Sequence, residues 1–159
     1  MVRKGGGSNL FSTKGQISVS RGVAEFHARR PVLIRGDRET LLALPVEGLD
    51  AQRLAEFTNL CAPTVPRLVI TARRALALGI EATTPVVLQL AAGLGAGAVI
   101  SLVTDVDTDC RLDAAAAGSA AKAAVALAKL SQGLPAVLVA EPAAPSGDRD
   151  QVLRQSIHG

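Results

Sequence analysis

The chain of 159 residues has no Trp, no Tyr and only three Phe. A surface that stacks the bases of single-stranded nucleic acid draws on aromatic rings, so that class of binding is not expected. The core has to be assembled from Ala, Val, Leu and Ile instead. Cysteine is scarce too: Cys61 and Cys110 lie far apart with no C-x-x-C pair, which excludes a zinc knuckle. They read as reduced thiols of a cytoplasmic protein. Neither His27 nor His158 has a Cys, an Asp or a second His at ligand spacing. No Walker A motif occurs. The net charge is only +3, and the Lys and Arg are scattered rather than gathered into a stripe, so no nucleic-acid partner is expected. The opening "MVRKGGGSNLF" has basic residues with no apolar run behind them, and is not a secretory signal.

What is present is a chain 48% hydrophobic, enough for one domain with a sizeable core. Residues 1–19 are rich in Gly, Ser and Lys and read as a mobile arm; residues 143–159 read as a polar tail or linker; the domain is placed at 20–142. The stretch from Ala82 to Thr104 carries no charge and is long enough to span a bilayer. Pro85, Gln89, three glycines and the lack of flanking aromatic or basic anchors argue against that. It is read as two buried strands around a glycine-rich turn, with no membrane partner.

Elsewhere, periodicity gives a short helix over "SRGVAEFHARR" with Ser20 as cap, and strands at "PVLIRG" and "TLLALPVEGL". A helix opens on Asp50, "PRLVITA" is a strand, and a short helix runs from Thr71 to a stop at Gly79. "PVVLQLA" and "AVISLVTDV" read as strands. "AAAAGSAAKAAVALAKLSQG" is a helix entered near Gly118 and ended near Gly133 in a left-handed turn, and "PAVLVAE" is the last strand. Several strands are continuously apolar and therefore buried on both faces. The expected class is α/β, as a mixed α+β sheet in a single domain.

Three stretches are candidate sites. Gly93, Gly95 and Gly97 lack the full G-x-G-x-x-G, and with a strand after them there is no helix N-terminus for an anion, so they read as a turn. Asp105, Asp107 and Asp109 alternate; on a strand they would share a face that could hold a hard cation, and otherwise form a solvated strand end. "RGDRET" clusters Arg35, Asp37, Arg38 and Glu39 after a strand, where α/β proteins place chemistry and where ordinary charged turns also occur.

The segment "AAVALAKLSQGLPAVLVAE" resembles the final helix and strand of 3,4-dihydroxy-2-butanone 4-phosphate synthase. "GVAEFHARRPVLIRGDRE" resembles that family's first helix, first strand and acidic loop. "DAQRLAEFTNLCAPTVPRLVITARRALALGI" resembles its next helix, strand and short helix, in the same order. The resemblance implies a synthase-like fold, a homodimer, and chemistry in which ribulose 5-phosphate is rearranged with Mg²⁺ and formate is released. It places Arg38 and Glu39 on the acidic loop's Arg and metal-binding Glu, and Glu141 on an active-site Glu. It also places the metal-binding His on Ala120 and another active-site Glu on Lys122. The rest of the acidic loop is missing, since Thr40 runs directly into "LLALP".

Arg38, Glu39 and Glu141 are therefore expected as remnants of a site, with no metal and no cofactor. The pattern is most similar to the divergent synthase-like domain that precedes the zinc-dependent domain of some bacterial GTP cyclohydrolase II proteins. It implies a non-catalytic accessory domain, a fragment or stand-alone relative, partnered by itself or by a cyclohydrolase. Two alternatives stay open: an active Mg²⁺-dependent synthase using Arg38, Glu39, the 105–109 aspartates and Glu141, and a small-ligand or nucleotide-binding domain using the 93–97 turn.

Overall fold

The computed structural model describes residues 19–105 and 112–142. The expected tail, the arm before residue 19, and Asp107, Asp109, Cys110 and His158 lie outside the described residues. Six strands form one sheet: β1 (Val32–Arg35), β2 (Thr40–Pro45), β3 (Arg67–Ile70), β4 (Val86–Gln89), β5 (Ala114–Ala116) and β6 (Ala136–Ala140). Their order is β1-β2-β6-β3-β4-β5, and every neighbouring pair is antiparallel. The last strand is thus inserted at the centre, pairing Leu42 with Ala140 on one side and Leu68 with Leu138 on the other. This is the mixed α+β arrangement expected, in a wholly antiparallel form. Antiparallel strands commonly leave one face wet, but here both are covered, and that is why the runs are continuously apolar.

The period of two sorts each strand between two cores. Leu42, Leu44, Leu68, Ile70, Val86, Leu88 and Leu138 point into one. Leu41, Ala43, Val69, Val87, Val137 and Val139 point into the other. Helices α2 (Ala51–Cys61), α3 (Ala72–Ala77) and α4 (Ala96–Thr104) supply the first layer through Phe57, Cys61, Ala75, Val99 and Leu102. Helices α1 (residues 19–27) and α5 (Ser119–Leu130) supply the second. Phe26 and four buried alanines of α5, at 120, 121, 124 and 128, make that face. Each core holds one of the scarce aromatics. Burial pushes the Cys61 thiol up to about 12, so it packs as a small apolar group.

Helix ends follow local chemistry. The Asp50 carboxylate accepts from the Arg53 N–H at 2.8 Å, and the Thr71 hydroxyl accepts from the Arg74 N–H at 3.0 Å. Ser20 is not a cap, because the helix is already formed at residue 19. Three helices end in the same paired hydrogen-bond motif. After α3 the left-handed residue is Gly79 (φ 85°), after α1 it is Arg29 (φ 61°), and after α5 it is Gln132 (φ 62°). At α5, Gln132 N–H donates to Lys129 O at 3.0 Å and Gly133 N–H to Ala128 O at 3.2 Å. The left-handed turn therefore falls one residue before Gly133. Gly133 is needed for a different reason: a Cβ there would sit 3.0 Å from Glu47 Cβ.

Two elements differ from expectation. Within the run read as "AVISLVTDV", the residues through Thr104 belong to helix α4, not to a strand. Ala96, Val99, Leu102 and Val103 recur at helical spacing and are all buried, and a short apolar run does not by itself separate the two periods. Its far end is held from outside: Arg74 donates to Leu102 O at 2.8 Å, Ser101 O at 3.3 Å and Asp105 O. The second difference is Ala114–Ala116, read as helix from its alanines. It is an edge strand on β4, held by Gln89 N–H to Asp113 O and Ala117 N–H to Pro85 O. Pairing with an existing strand overrides the weak β-preference of Ala.

Replacing Gln132 by Gly should remove the left-handed penalty, which exceeds the added freedom of the unfolded chain. A net gain of about 0.5 kcal/mol is expected from urea unfolding. A loss of stability would contradict this account of the helix end.

Candidate functional site

"RGDRET" folds as a tight turn between β1 and β2, closed by Gly36 N–H donating to Glu39 O at 2.7 Å. This turn is pressed onto the start of α5. Helix α5 has Gly118 at its N-cap position and no side chain there to take its first N–H groups. Glu39 does so from another element: its Oε2 accepts from Ala120 N–H at 3.0 Å and from Ala121 N–H at 3.4 Å. A carboxylate at this end also suits the helix dipole. Ser119 reaches back, its Oγ accepting from Asp37 N–H at 2.7 Å.

The fit is close. A Cβ on Gly36 would sit 2.3 Å from Ser119 Oγ, and a Cβ on Gly118 would come 2.4 Å from Glu39 Oε2. Both glycines are there because another group occupies the place of a side chain. Asp37, Arg38, Glu39, Gly118 and Ser119 surround an open depression of about 350 Å³. Arg38 and Lys122 are exposed, and the Ala120 methyl is fully buried.

Glu141 follows β6, two residues beyond Val139, on the α5 face of the sheet. Its Oε1 accepts from Arg67 Nη2 at 2.5 Å, as an ion pair in which the Glu side chain is 56% exposed and the Arg 23%. Glu39 and Glu141 are thus at the same end of the sheet, since Leu41 and Glu141 are the next positions after the Leu42–Ala140 pair. The structure brings Arg38 and Glu39 together around the depression. It gives Glu141 a separate partner.

Arg67 and Ser119 were not singled out by sequence reasoning. A charged first residue on an otherwise apolar strand, "RLVI", was the available signal for Arg67.

The other candidates change. Asp105 is the C-cap of helix α4 and does not sit on a strand, while Asp107 and Asp109 lie outside the described residues. Among the described residues no group of three or more His, Cys, Asp or Glu could hold a metal ion. The glycine turn does lead into a helix: Gly93 is left-handed (φ 82°) and Gly95 is the N-cap of α4, with open space where a Cβ would stand at 95 and 97. His27 is exposed on α1. No helix among the described residues is long and apolar enough to cross a membrane.

Because Glu39 and a Gly118 side chain would compete for one space, their substitutions should not add. Glu39→Ala is expected to cost about 1 kcal/mol as a lost cap. Gly118→Ala should cost at least as much, and the double variant should fall at least about 0.5 kcal/mol short of the sum. Additive costs in chemical denaturation would show that the two positions do not meet.

No protein-family model and no curated protein matches the chain. Solved structures do. RibBX, a two-domain 3,4-dihydroxy-2-butanone 4-phosphate synthase from A. baumannii, aligns over 86% of this chain and 52% of its own, with TM-score 0.61 and 14% identity. This chain thus spans about half of that protein. A cation-free 3,4-dihydroxy-2-butanone 4-phosphate synthase aligns over 86% of this chain and 88% of its own (TM-score 0.61, 15% identity). One in complex with two magnesium ions aligns over 86% and 88% (TM-score 0.59, 13% identity). The chain therefore has the fold of 3,4-dihydroxy-2-butanone 4-phosphate synthase.

Proposed function

We propose that this chain is a non-catalytic, synthase-like accessory domain of riboflavin biosynthesis, cytoplasmic, with a structural or dimerising role beside a GTP cyclohydrolase II-type domain or subunit. The observation that carries the reading is the hydrogen bond from Ala120 N–H to Glu39 Oε2. The carboxylate that the family resemblance assigns to the metal is taken up by a helix end.

The residues present do not fit a Mg²⁺ ion. Such a site needs several oxygen ligands in near-octahedral array. Ala120 offers a methyl group, Glu39 is engaged by two amides, and Glu141 is paired with Arg67. Where the family resemblance expects an active-site Glu, one turn into α5, this chain has Lys122, which is a cation and no metal ligand. No catalytic step through the ion is derived.

The purified chain should release no formate from ribulose 5-phosphate above background at millimolar Mg²⁺. Turnover that disappears in Glu39→Ala would overturn the reading in favour of an active synthase. For the dimerising role, analytical ultracentrifugation should give the mass of two 16.3 kDa chains. A monomer at high micromolar concentration would remove self-association from the proposal.

A further inference from the structure

On the sheet face away from Glu39, a cavity of about 310 Å³ opens between α2 and the turn that joins α1 to β1. Its floor is apolar, made by Pro31, Leu44, Phe57 and Leu60. Leu44 and Phe57 belong to the buried core, with Leu60 packed against it, so the floor is rigid. Arg29, Arg53 and Glu56 complete its lining.

The arginines are placed by backbone features. Arg29 holds the left-handed position that ends α1, where glycine stands at the end of α3. A β-carbon is disfavoured there, and such strain tends to collect at binding sites. The Arg29 side chain lies along the turn at Gly48, itself left-handed (φ 74°); a Cβ at 48 would come 2.3 Å from Arg29 Nε. Among the described residues the Arg29 guanidinium makes no hydrogen bond and no ion pair. Arg53 Nη1 donates to Arg29 O at 3.0 Å, which ties the two residues together and leaves the other donors of Arg53 for a ligand. Glu56 is turned along its own helix, where its Oε2 accepts from Gln52 Nε2 at 3.3 Å.

We propose that this cavity binds a small carboxylate carried on an apolar body. The guanidinium fork matches a planar carboxylate, and the floor takes the apolar part. The volume lies at the small end of the range for ligand pockets. Two arginines against one glutamate leave a single net positive charge among the lining residues, which favours a monoanion over a phosphate dianion.

Benzoate, benzamide and inorganic phosphate, titrated into the isotope-labelled full chain and followed by NMR, test this. Benzoate should shift Leu44, Phe57 and Leu60 saturably. Benzamide, equal in shape but uncharged, should bind at least about tenfold more weakly, and phosphate should not saturate these signals. Arg29→Gly keeps a residue suited to the left-handed position, so the fold is retained, and it should weaken benzoate by about tenfold or more. Arg53→Gln should act in the same direction. No saturable shift at benzoate concentrations on the order of 50 mM, equal affinity for benzamide, saturation by phosphate at the same residues, or unchanged binding in Arg29→Gly would each overturn the proposal.

Discussion

The backbone hydrogen bonds of β6 hold β2 on one side and β3 on the other, and its side chains supply both cores. All five of its residues are buried, alternating between the α2–α3–α4 layer and the α1–α5 layer. A slip of one residue would exchange the two sets, moving Leu138 to the side built for Val137 and Val139. Everything else is arranged around that register. The β1–β2 hairpin and the β3–β4–β5 meander never pair with each other directly; they are joined through this strand.

The polar end of the same strand is where the fold and the site meet. Glu141 emerges beside the turn that carries Glu39, and α5 begins there. Each carboxylate is satisfied within the chain, Glu39 by amides and Glu141 by a guanidinium.

Much of this was readable from residue order. Asp50, Thr71 and Gly79 were legible as helix ends because each acts through local hydrogen bonds or backbone freedom. The central strands were legible because their apolar runs are short, continuous and rich in β-branched residues. Helix α4 was not, since Val99, Ile100, Leu102 and Val103 satisfy both periods over so short a run. Strand β5 was not, since three alanines carry no β signal and depend on β4 for their conformation. The turn at Gln132 was missed because an adjacent Gly133 offered the more obvious residue. Arg38, Glu39 and Glu141 were singled out through the family resemblance. Their partners could not be, because Arg67 and the amides of α5 are distant in sequence and reach them only through the sheet.

The placement of β6 also orders events during synthesis. A growing chain makes β1 and β2, then β3 and β4, with the slot between them open until residues 136–140 are produced. Until then β2 and β3 present facing edges with unpaired backbone groups and long apolar runs. Such edges recruit strands from other molecules. Closure relies on contacts between residues almost a hundred positions apart, which slows two-state folding. The interval before the last strand arrives is the period in which this protein depends most on being kept apart from its neighbours.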